Sequence, residues 1–102
     1  MRKDIPKLAY TNPFYKKMRR AYPMLVSCAA CKSDLVMYQK GGKGGLIKLR
    51  LDRLLSASFP IDGEASAMHC PNCGALFAKR TLYKGHIHYF IMRGTVNTRS
   101  FY

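Results

Sequence analysis

The sequence has few acids, no tryptophan and no cysteine outside two close pairs. Five Asp and Glu residues stand against eighteen Lys and Arg residues, which gives a formal net charge of +13 over 102 residues. Such an excess of one sign indicates what the chain binds rather than how it folds, and it favours polyanions. Nucleic acid is therefore the first partner to consider, and the seven tyrosines supply rings that can stack on bases.

A long apolar run is also missing. No stretch approaches the roughly 18 apolar residues of a membrane span, and no apolar region of a secretory signal follows residues 1–6. Mitochondrial presequences are likewise basic and poor in acids, but Pro6, Pro13 and Pro23 would interrupt the helix that they require. We expect no membrane association and a cytoplasmic, reducing location, with an organelle as the open alternative.

The sequence shows no catalytic constellation. Four acids lie beyond the N-terminal region and form no recognisable pair: Asp34, Asp52, Asp62 and Glu64. No Ser–His–Asp or Cys–His pattern is visible. His86 and His88 would project from one side of a strand, but a third metal ligand is not evident beside them. We expect these histidines to be solvated or stacked on a base, and we expect neither enzymatic activity nor a small-molecule substrate.

The four cysteines form two C-x-x-C units, Cys28–Cys31 and Cys70–Cys73. Four thiolates at the corners of a tetrahedron are the ligands of a structural zinc site, and two intervening residues allow a tight turn that points both sulfurs at one metal. Gly74 follows the second pair, where such a turn often needs a positive φ. Lys32 occupies the matching place after the first pair. The spacing therefore predicts one structural Zn²⁺ bound by all four cysteines.

Other cysteine chemistry fits the sequence less well. The linker between the pairs is longer than in the usual C-x-x-C zinc template. A reducing location disfavours disulfides, and neither pair lies in a βαβ pattern typical of a redox motif. An iron–sulfur cluster also uses four thiolates, so the spacing leaves zinc and iron both open.

With these cysteine turns the chain resembles the zinc-ribbon group, in which two zinc knuckles on β-hairpins share one zinc. It also resembles zinc-binding ribosomal proteins that combine such a ribbon with a basic extension. The resemblance implies a small β-rich zinc-ribbon domain, residues 24–102, preceded by a basic aromatic N-terminal arm, residues 1–23. The Cys70-Pro71-Asn72-Cys73-Gly74 knuckle is the more typical half.

The N-terminal arm interleaves cations with rings. Residues 1–22 contain seven cations and one acid, with three tyrosines and a phenylalanine among them. Asn12 as N-cap and Pro13 in the first turn predict a short helix that Pro23 would end. We expect the arm to become ordered on RNA, with cations on phosphates and rings on exposed bases. A solvated, passive tail is the alternative.

Three further segments carry strand patterns. Residues 35–39 and 46–51 are predicted to pair as a hairpin, with Leu49 and Leu51 buried between basic neighbours and a glycine-rich tip carrying Lys40 and Lys43. The tip lacks the spacing of a Walker A motif. Residues 83–92 read as one long strand, with Tyr83, Ile87, Tyr89 and Ile91 on one face.

These observations predict a structural RNA-binding protein, specifically a ribosomal protein that binds rRNA and neighbouring ribosomal proteins. The alternatives are a transcription-associated zinc ribbon that binds DNA or RNA polymerase, and a zinc module for protein interaction. The candidate nucleic-acid contacts are the basic residues, with selected rings and histidines: Arg2, Lys3, Lys7, Tyr10, Phe14, Tyr15, Lys16, Lys17, Arg19, Arg20, Lys40, Lys43, Lys48, Arg50, Lys79, Arg80, Lys84, His86, His88, Arg93 and Arg99.

Overall fold

Nine β-strands and one 3₁₀ turn account for the regular structure of residues 8–17, 19–41, 46 and 48–101, which a computed structural model describes. The strands are β1 (Tyr10–Thr11), β2 (Ala21–Cys28), β3 (Asp34–Gly41), β4 (Lys48–Arg50), β5 (Leu54–Ala57), β6 (Ala67–His69), β7 (Leu76–Tyr83), β8 (His86–Ile91) and β9 (Val96–Ser100), and the 3₁₀ turn is Leu51–Arg53. None of the described residues forms a helix with the length and apolar character of a membrane span. The predicted β-rich class is confirmed.

The strands form two antiparallel sheets. The first sheet has the order β1-β5-β3-β2-β9 and the second the order β4-β8-β7-β6. The first cysteine pair lies in the turn between β2 and β3, and the second lies in the turn between β6 and β7. Each sheet therefore contributes one hairpin to the cysteine cluster.

Both sheets bury side chains in one shared core. Val26 and Leu54 from the first sheet pack in the same apolar cluster as Leu49 and Tyr89 from the second. Tyr89 is the largest fully buried side chain, and its hydroxyl donates to the Ala65 carbonyl oxygen at 2.7 Å. The burial of Leu49 between two partly exposed basic residues confirms the alternation that the sequence predicted for this strand.

The predicted hairpin between residues 35–39 and 46–51 is wrong. β3 pairs with β2 and β5, whereas β4 pairs with β8 in the other sheet, so the glycine-rich segment connects two sheets. The side chain of Lys40 is only 9% exposed, and its Nζ donates to the Gly41 carbonyl oxygen at 2.9 Å. Lys43 lies outside the described residues. Alternation along a strand shows which face is buried, but it does not show which strand is the partner.

The predicted long strand over residues 83–92 is also wrong. Lys84 and Gly85 adopt positive φ values of +51° and +77°, and they form a two-residue turn between β7 and β8. Two successive positive φ values define the turn that matches the twist of a tight hairpin, and glycine adopts one of them without steric cost. Tyr83 consequently lies opposite His86, and it does not share the buried face of Tyr89.

The described part of the N-terminal region packs on the first sheet. Tyr10 and Thr11 pair with β5, and residues 21–23 begin β2. Asn12 is 4% exposed, and its Nδ2 donates to the carbonyl oxygens of Leu51 at 2.7 Å and Leu54 at 2.9 Å. Its Oδ1 accepts the Phe14 N–H at 2.9 Å, which closes an Asx turn.

The helix predicted to begin after Asn12 is therefore not formed in the described residues, where a turn at Pro13 and Phe14 is followed by chain without regular secondary structure. The capping hydrogen bond that the sequence suggested is present, since the side chain of Asn12 accepts from a following N–H. The same side chain also donates to the carbonyl oxygens of Leu51 and Leu54, and the three bonds together fix the turn in place of a helix.

We expect Asn12→Ala to lower the free energy of unfolding by about 2 kcal/mol, because two buried carbonyl oxygens would lose their donor. Asn97→Ala is the matched control, since Asn97 is exposed in β9. Urea denaturation of the two variants and the parent chain measures the effect. Equal midpoints for both variants would contradict the role of Asn12.

Candidate metal centre and basic sheet face

The two cysteine turns have the same backbone geometry. In each turn the N–H four residues after the first cysteine donates to the carbonyl oxygen of that cysteine, and the first cysteine's own N–H donates to the carbonyl five residues on. The four bonds, each 2.8 Å long, are Lys32 to Cys28, Cys28 to Ser33, Gly74 to Cys70 and Cys70 to Ala75. Gly74 has a φ of +78°, as predicted, and Lys32 has a φ of +66° in the matching place.

The four cysteine sulfurs converge between the turns. The Sγ atoms of Cys28 and Cys73 are 3.7 Å apart, those of Cys31 and Cys70 are 3.5 Å apart, and all four lie within 4.8 Å of one another. Sulfurs placed tetrahedrally at about 2.3 Å from zinc are roughly 3.8 Å apart. The cluster could therefore hold one metal ion, and it fits a single structural zinc.

The cysteines of this cluster have unequal pKa values, partly because their hydrogen bonds differ. The Asn72 side chain, with the hydroxyl and backbone of Ser33, lowers the pKa of Cys31 to about 5. The backbone N–H of Ala75 lowers the pKa of Cys73, but burial and the other three thiols outweigh it and raise that pKa to about 11. Asn72 belongs to the second turn and Cys31 to the first, so this contact joins the two halves of the cluster. A metal binds the thiolate forms, so its binding must release protons.

A second candidate site covers one face of the second sheet. Residues directly opposite each other in an antiparallel pair lie on the same face, and so do alternate residues along a strand. The register places eight residues on one face, which we call the basic sheet face: Lys48, Arg50, Lys79, Thr81, Tyr83, His86, His88 and Phe90. Cations, histidines and two rings therefore share one surface.

Lys48 lies between the rings of this face. Its Nζ is 3.5 Å from the centre of the Tyr83 ring and 5.6 Å from the centre of the Phe90 ring. Lys84 Nζ, in the adjoining turn, is 5.4 Å from the Tyr83 ring. Both rings are 43% exposed. The cation contacts hold the rings in place while part of each ring faces solvent.

His88 lies beneath this surface. Its side chain is 7% exposed and meets the edge of the Tyr83 ring at a centroid distance of 5.6 Å. Burial lowers the pKa of His88, a hydrogen bond to the His86 carbonyl oxygen partly offsets that effect, and the charges of Lys48 and Arg50 lower the pKa further. His88 is therefore neutral at pH 7 and supports the face more than it contacts a partner.

Residues of the N-terminal arm lie beside the same face. Phe14 and Tyr15 line a groove of about 470 Å³ together with Arg50 and His86. A neighbouring cavity of about 350 Å³ carries only charged side chains: Lys16, Lys17, Arg19, Arg50, Asp52 and Arg53. The Lys16 N–H donates to the Asp52 carbonyl oxygen at 2.8 Å, which fixes this part of the arm. Arg50 belongs both to the basic sheet face and to the cavity that the arm cations line.

Other predicted contacts lie elsewhere. Arg80 points to the opposite side of the second sheet, where its Nε donates to the Gly63 carbonyl oxygen at 2.6 Å. Arg99 lies in β9 of the first sheet, with its guanidinium 5.2 Å from the Phe101 ring. Arg93 lies between β8 and β9 and lines a different cavity.

Tyr10 is exposed in β1, and Arg20 is exposed just before β2 with a φ of +54°. Arg2, Lys3 and Lys7, like Lys43, lie outside the described residues.

Sequence reasoning missed the two rings of the basic sheet face, Tyr83 and Phe90, and the neighbouring cation Arg53. Phe90 lies two positions after His88 and four after His86, so the alternation within β8 predicts that it shares their face. Arg53 has no such pattern, because a 3₁₀ turn rather than a strand orients it.

No family model matches the chain, and comparisons with curated proteins and with solved structures also found no match. The structure itself defines the class: a small β protein with two antiparallel sheets and a cluster of four cysteines.

We expect the purified chain to bind one metal ion and to unfold when a chelator removes it. Metal binding contributes about 10–16 kcal/mol in zinc-finger peptides, which matches or exceeds the roughly 5–15 kcal/mol stability of a typical domain. Cys73→Ser should act like the chelator, whereas Ser27→Ala, outside the cluster, should not. Metal analysis and thermal unfolding by circular dichroism provide the measurement. Unchanged melting after full chelation would contradict a structural metal.

Proposed function

We propose that this chain is a zinc-ribbon RNA-binding protein that serves as a structural component of a ribonucleoprotein. Cys28, Cys31, Cys70 and Cys73 would hold one Zn²⁺, and the basic sheet face would bind RNA. The observation that carries the proposal is the arrangement of Lys48, Arg50 and Lys79 around the half-exposed rings of Tyr83 and Phe90.

The chemistry of this face suits unpaired nucleotides. Proteins that bind single strands combine a positively charged surface that follows the phosphates with aromatic rings on which bases stack. Tyr83 and Phe90 offer such rings, and Lys48 and Lys79 lie on both sides of Phe90 in the sheet. Sequence-specific RNA binding commonly targets loops and bulges, where bases are free to stack. We therefore infer a preference for single-stranded segments of a folded RNA over regular duplex.

Zinc would join the two sheets of this small domain. A chain of this size buries a limited core, and small domains often depend on a metal for stability. Each sheet supplies one cysteine turn, so a metal there would hold both sheets in one orientation. Four thiolates around Zn²⁺ carry excess negative charge, and the neighbouring Lys32 would offset part of it. All four coordination positions would be filled by protein, which assigns the metal a structural role.

A ribosomal setting is the specific form of the proposal. A net charge of +13 on 102 residues suits a protein packed among rRNA phosphates. The cations of the arm, Lys16, Lys17 and Arg19, extend the basic sheet face past Arg50. A surface this long could bridge separate RNA segments, as a structural component does. Neighbouring ribosomal proteins and a cytoplasmic location belong to the same proposal.

We expect salt titrations of binding to a single-stranded RNA to separate the roles of charge and stacking. Lys48→Gln with Lys79→Gln should make the log–log salt slope shallower by about 1.4, because each phosphate contact on a single strand contributes about 0.7. Tyr83→Leu with Phe90→Leu should weaken binding by about 1–3 kcal/mol per stacked base and leave the slope unchanged.

Arg93→Gln with Arg99→Gln is the matched control, since it removes the same charge away from the basic sheet face. An equal loss in this control would show that net charge alone drives binding and would contradict the proposed surface. Stronger binding to duplex DNA than to RNA would favour the transcription-associated alternative. Failure to bind either nucleic acid would favour a protein-interaction module.

A further inference from the structure

A small basic cavity lies where β3 of the first sheet meets β4 and β8 of the second. It has a volume of about 220 Å³, and we call it the seam pocket. The lining residues that matter here are Tyr38, Lys40, Lys48, Arg50, Arg53 and His88. Lys48, Arg50 and His88 also belong to the basic sheet face, so the pocket opens beside that face. Lys40 and Arg53 belong to the pocket and not to the face.

The pocket is lined by four cationic side chains: Lys40, Lys48, Arg50 and Arg53. Only one of them has a carboxylate partner among the described residues. Arg50 Nε is 2.7 Å from Asp52 Oδ1, and this is the only ion pair within 4 Å among the residues that the structure describes. In that part of the chain Lys40, Lys48 and Arg53 therefore have no carboxylate partner. A cluster of cations that share one cavity repels itself, and an anion in the cavity would relieve that repulsion.

Lys40 is a buried cation that lacks a counter-ion among the described residues. Its side chain is 9% exposed, and its Nζ donates only to the carbonyl oxygen of the neighbouring Gly41 among the described contacts. An ammonium has three N–H donors, and burying it without a counter-ion is costly. A ligand that brings negative oxygens into the pocket would satisfy the remaining donors.

The Tyr38 hydroxyl adds a second donor that awaits an acceptor. Tyr38 is 4% exposed, and its oxygen accepts the Arg50 backbone N–H at 3.0 Å. The hydroxyl also carries a proton that it can donate. No described residue accepts it. Burial raises the pKa of Tyr38, so the proton stays on the oxygen at neutral pH.

The donors of the pocket suit a phosphate group. Guanidinium, ammonium and phenol groups all donate, and arginine recognises phosphate oxygens with its planar fork of N–H groups. Four cations favour a group with more than one negatively charged oxygen. A volume of about 220 Å³ is below the roughly 300–1,000 Å³ of a site for a drug-sized molecule, so the pocket has room for a phosphate rather than for a large ligand.

We propose that the seam pocket binds a phosphate group, through Lys40, Arg53 and the Tyr38 hydroxyl. The phosphate could belong to the RNA backbone, in which case the site rests on the proposed function and fixes where the strand leaves the basic sheet face. It could equally belong to a small phosphorylated molecule such as a mononucleotide. Both sources present the same oxygens to the pocket.

Calorimetric titration with inorganic phosphate, with a nucleoside 5′-monophosphate and with a single-stranded RNA tests the pocket directly. The variants are Lys40→Met, which keeps the length of the buried stem, and Arg53→Gln. Lys79→Gln is the matched control, since it removes one cation from the basic sheet face outside the pocket. Every titration is run at constant ionic strength set with chloride, so that general screening does not contribute.

We expect at least one phosphate-bearing ligand to bind the parent chain. Its affinity should fall at least tenfold in Lys40→Met and in Arg53→Gln. The affinity for free phosphate should not fall in Lys79→Gln. Inorganic phosphate should raise the melting temperature of the parent chain. Without phosphate, Lys40→Met should melt at the same or a higher temperature, because a buried unpaired charge is removed. That last readout shows that lost binding does not come from lost folding.

The two sources give different patterns. If the phosphate belongs to RNA, both pocket variants weaken RNA binding, and the mononucleotide binds no better than inorganic phosphate. If it belongs to a small molecule, the mononucleotide binds best and the pocket variants leave RNA binding unchanged.

The pocket and the proposed function can also fail separately. Phosphate binding without any RNA binding supports the pocket and counts against the proposed function. RNA binding that depends on Tyr83 and Phe90, with no phosphate or nucleotide binding and no effect of Lys40→Met or Arg53→Gln, overturns the pocket alone.

Discussion

The convergence of four cysteine sulfurs between two hairpins is the contact on which the rest of this structure depends. Cys31 and Cys70 are 39 positions apart in the chain, yet their sulfurs are 3.5 Å apart. Each hairpin belongs to a different sheet, so the cluster fixes the relation of the sheets at one end while the shared apolar core fixes it along their length. The seam pocket is lined by residues of both sheets, so its shape follows from that relation.

Positive charge is concentrated where the two sheets and the N-terminal residues meet. Arg50 contacts Asp52 and lines the seam pocket as well as both neighbouring cavities. A single side chain thus borders three depressions, two of them rich in cations, and its Nε lies 2.7 Å from a carboxylate oxygen of Asp52. Repulsion among the surrounding cations favours occupation of these depressions by anions, and this follows from the local arrangement rather than from the net charge of the chain.

The sequence was sufficient for features that depend on neighbours along the chain. The cysteine spacing predicted the close approach of the four cysteines, because each C-x-x-C turn closes through its own backbone hydrogen bonds. The alternation around Leu49 predicted its burial, because alternate residues of any strand face opposite sides. The positive φ of Gly74 followed from the same local geometry.

Features that depend on distant partners were not predictable in the same way. Nothing in the local pattern of β4 shows that it pairs with β8 instead of β3. Asn12 looked like a helix cap, and only its two bonds to Leu51 and Leu54 reveal a different role. The turn at Lys84 and Gly85 had a weak local signal, because lysine is not a residue that typically favours a positive φ. Missing that turn placed Tyr83 on the wrong face.

The position of β9 has a consequence for the order in which the domain assembles. β9 pairs with β2 in the first sheet, although the strands of β4 and β6–β8 that form the second sheet come between them in the chain. The hairpins β2–β3, β6–β7 and β7–β8 involve only local pairing and can form early, whereas the β2–β9 ladder must close a loop of almost the whole domain. Growth of the chain on the ribosome would therefore complete the second sheet and both cysteine turns before the first sheet gains its last strand. Until then the free edge of β2 would be exposed to pairing with other chains, and β9 acts as the final cover of that edge.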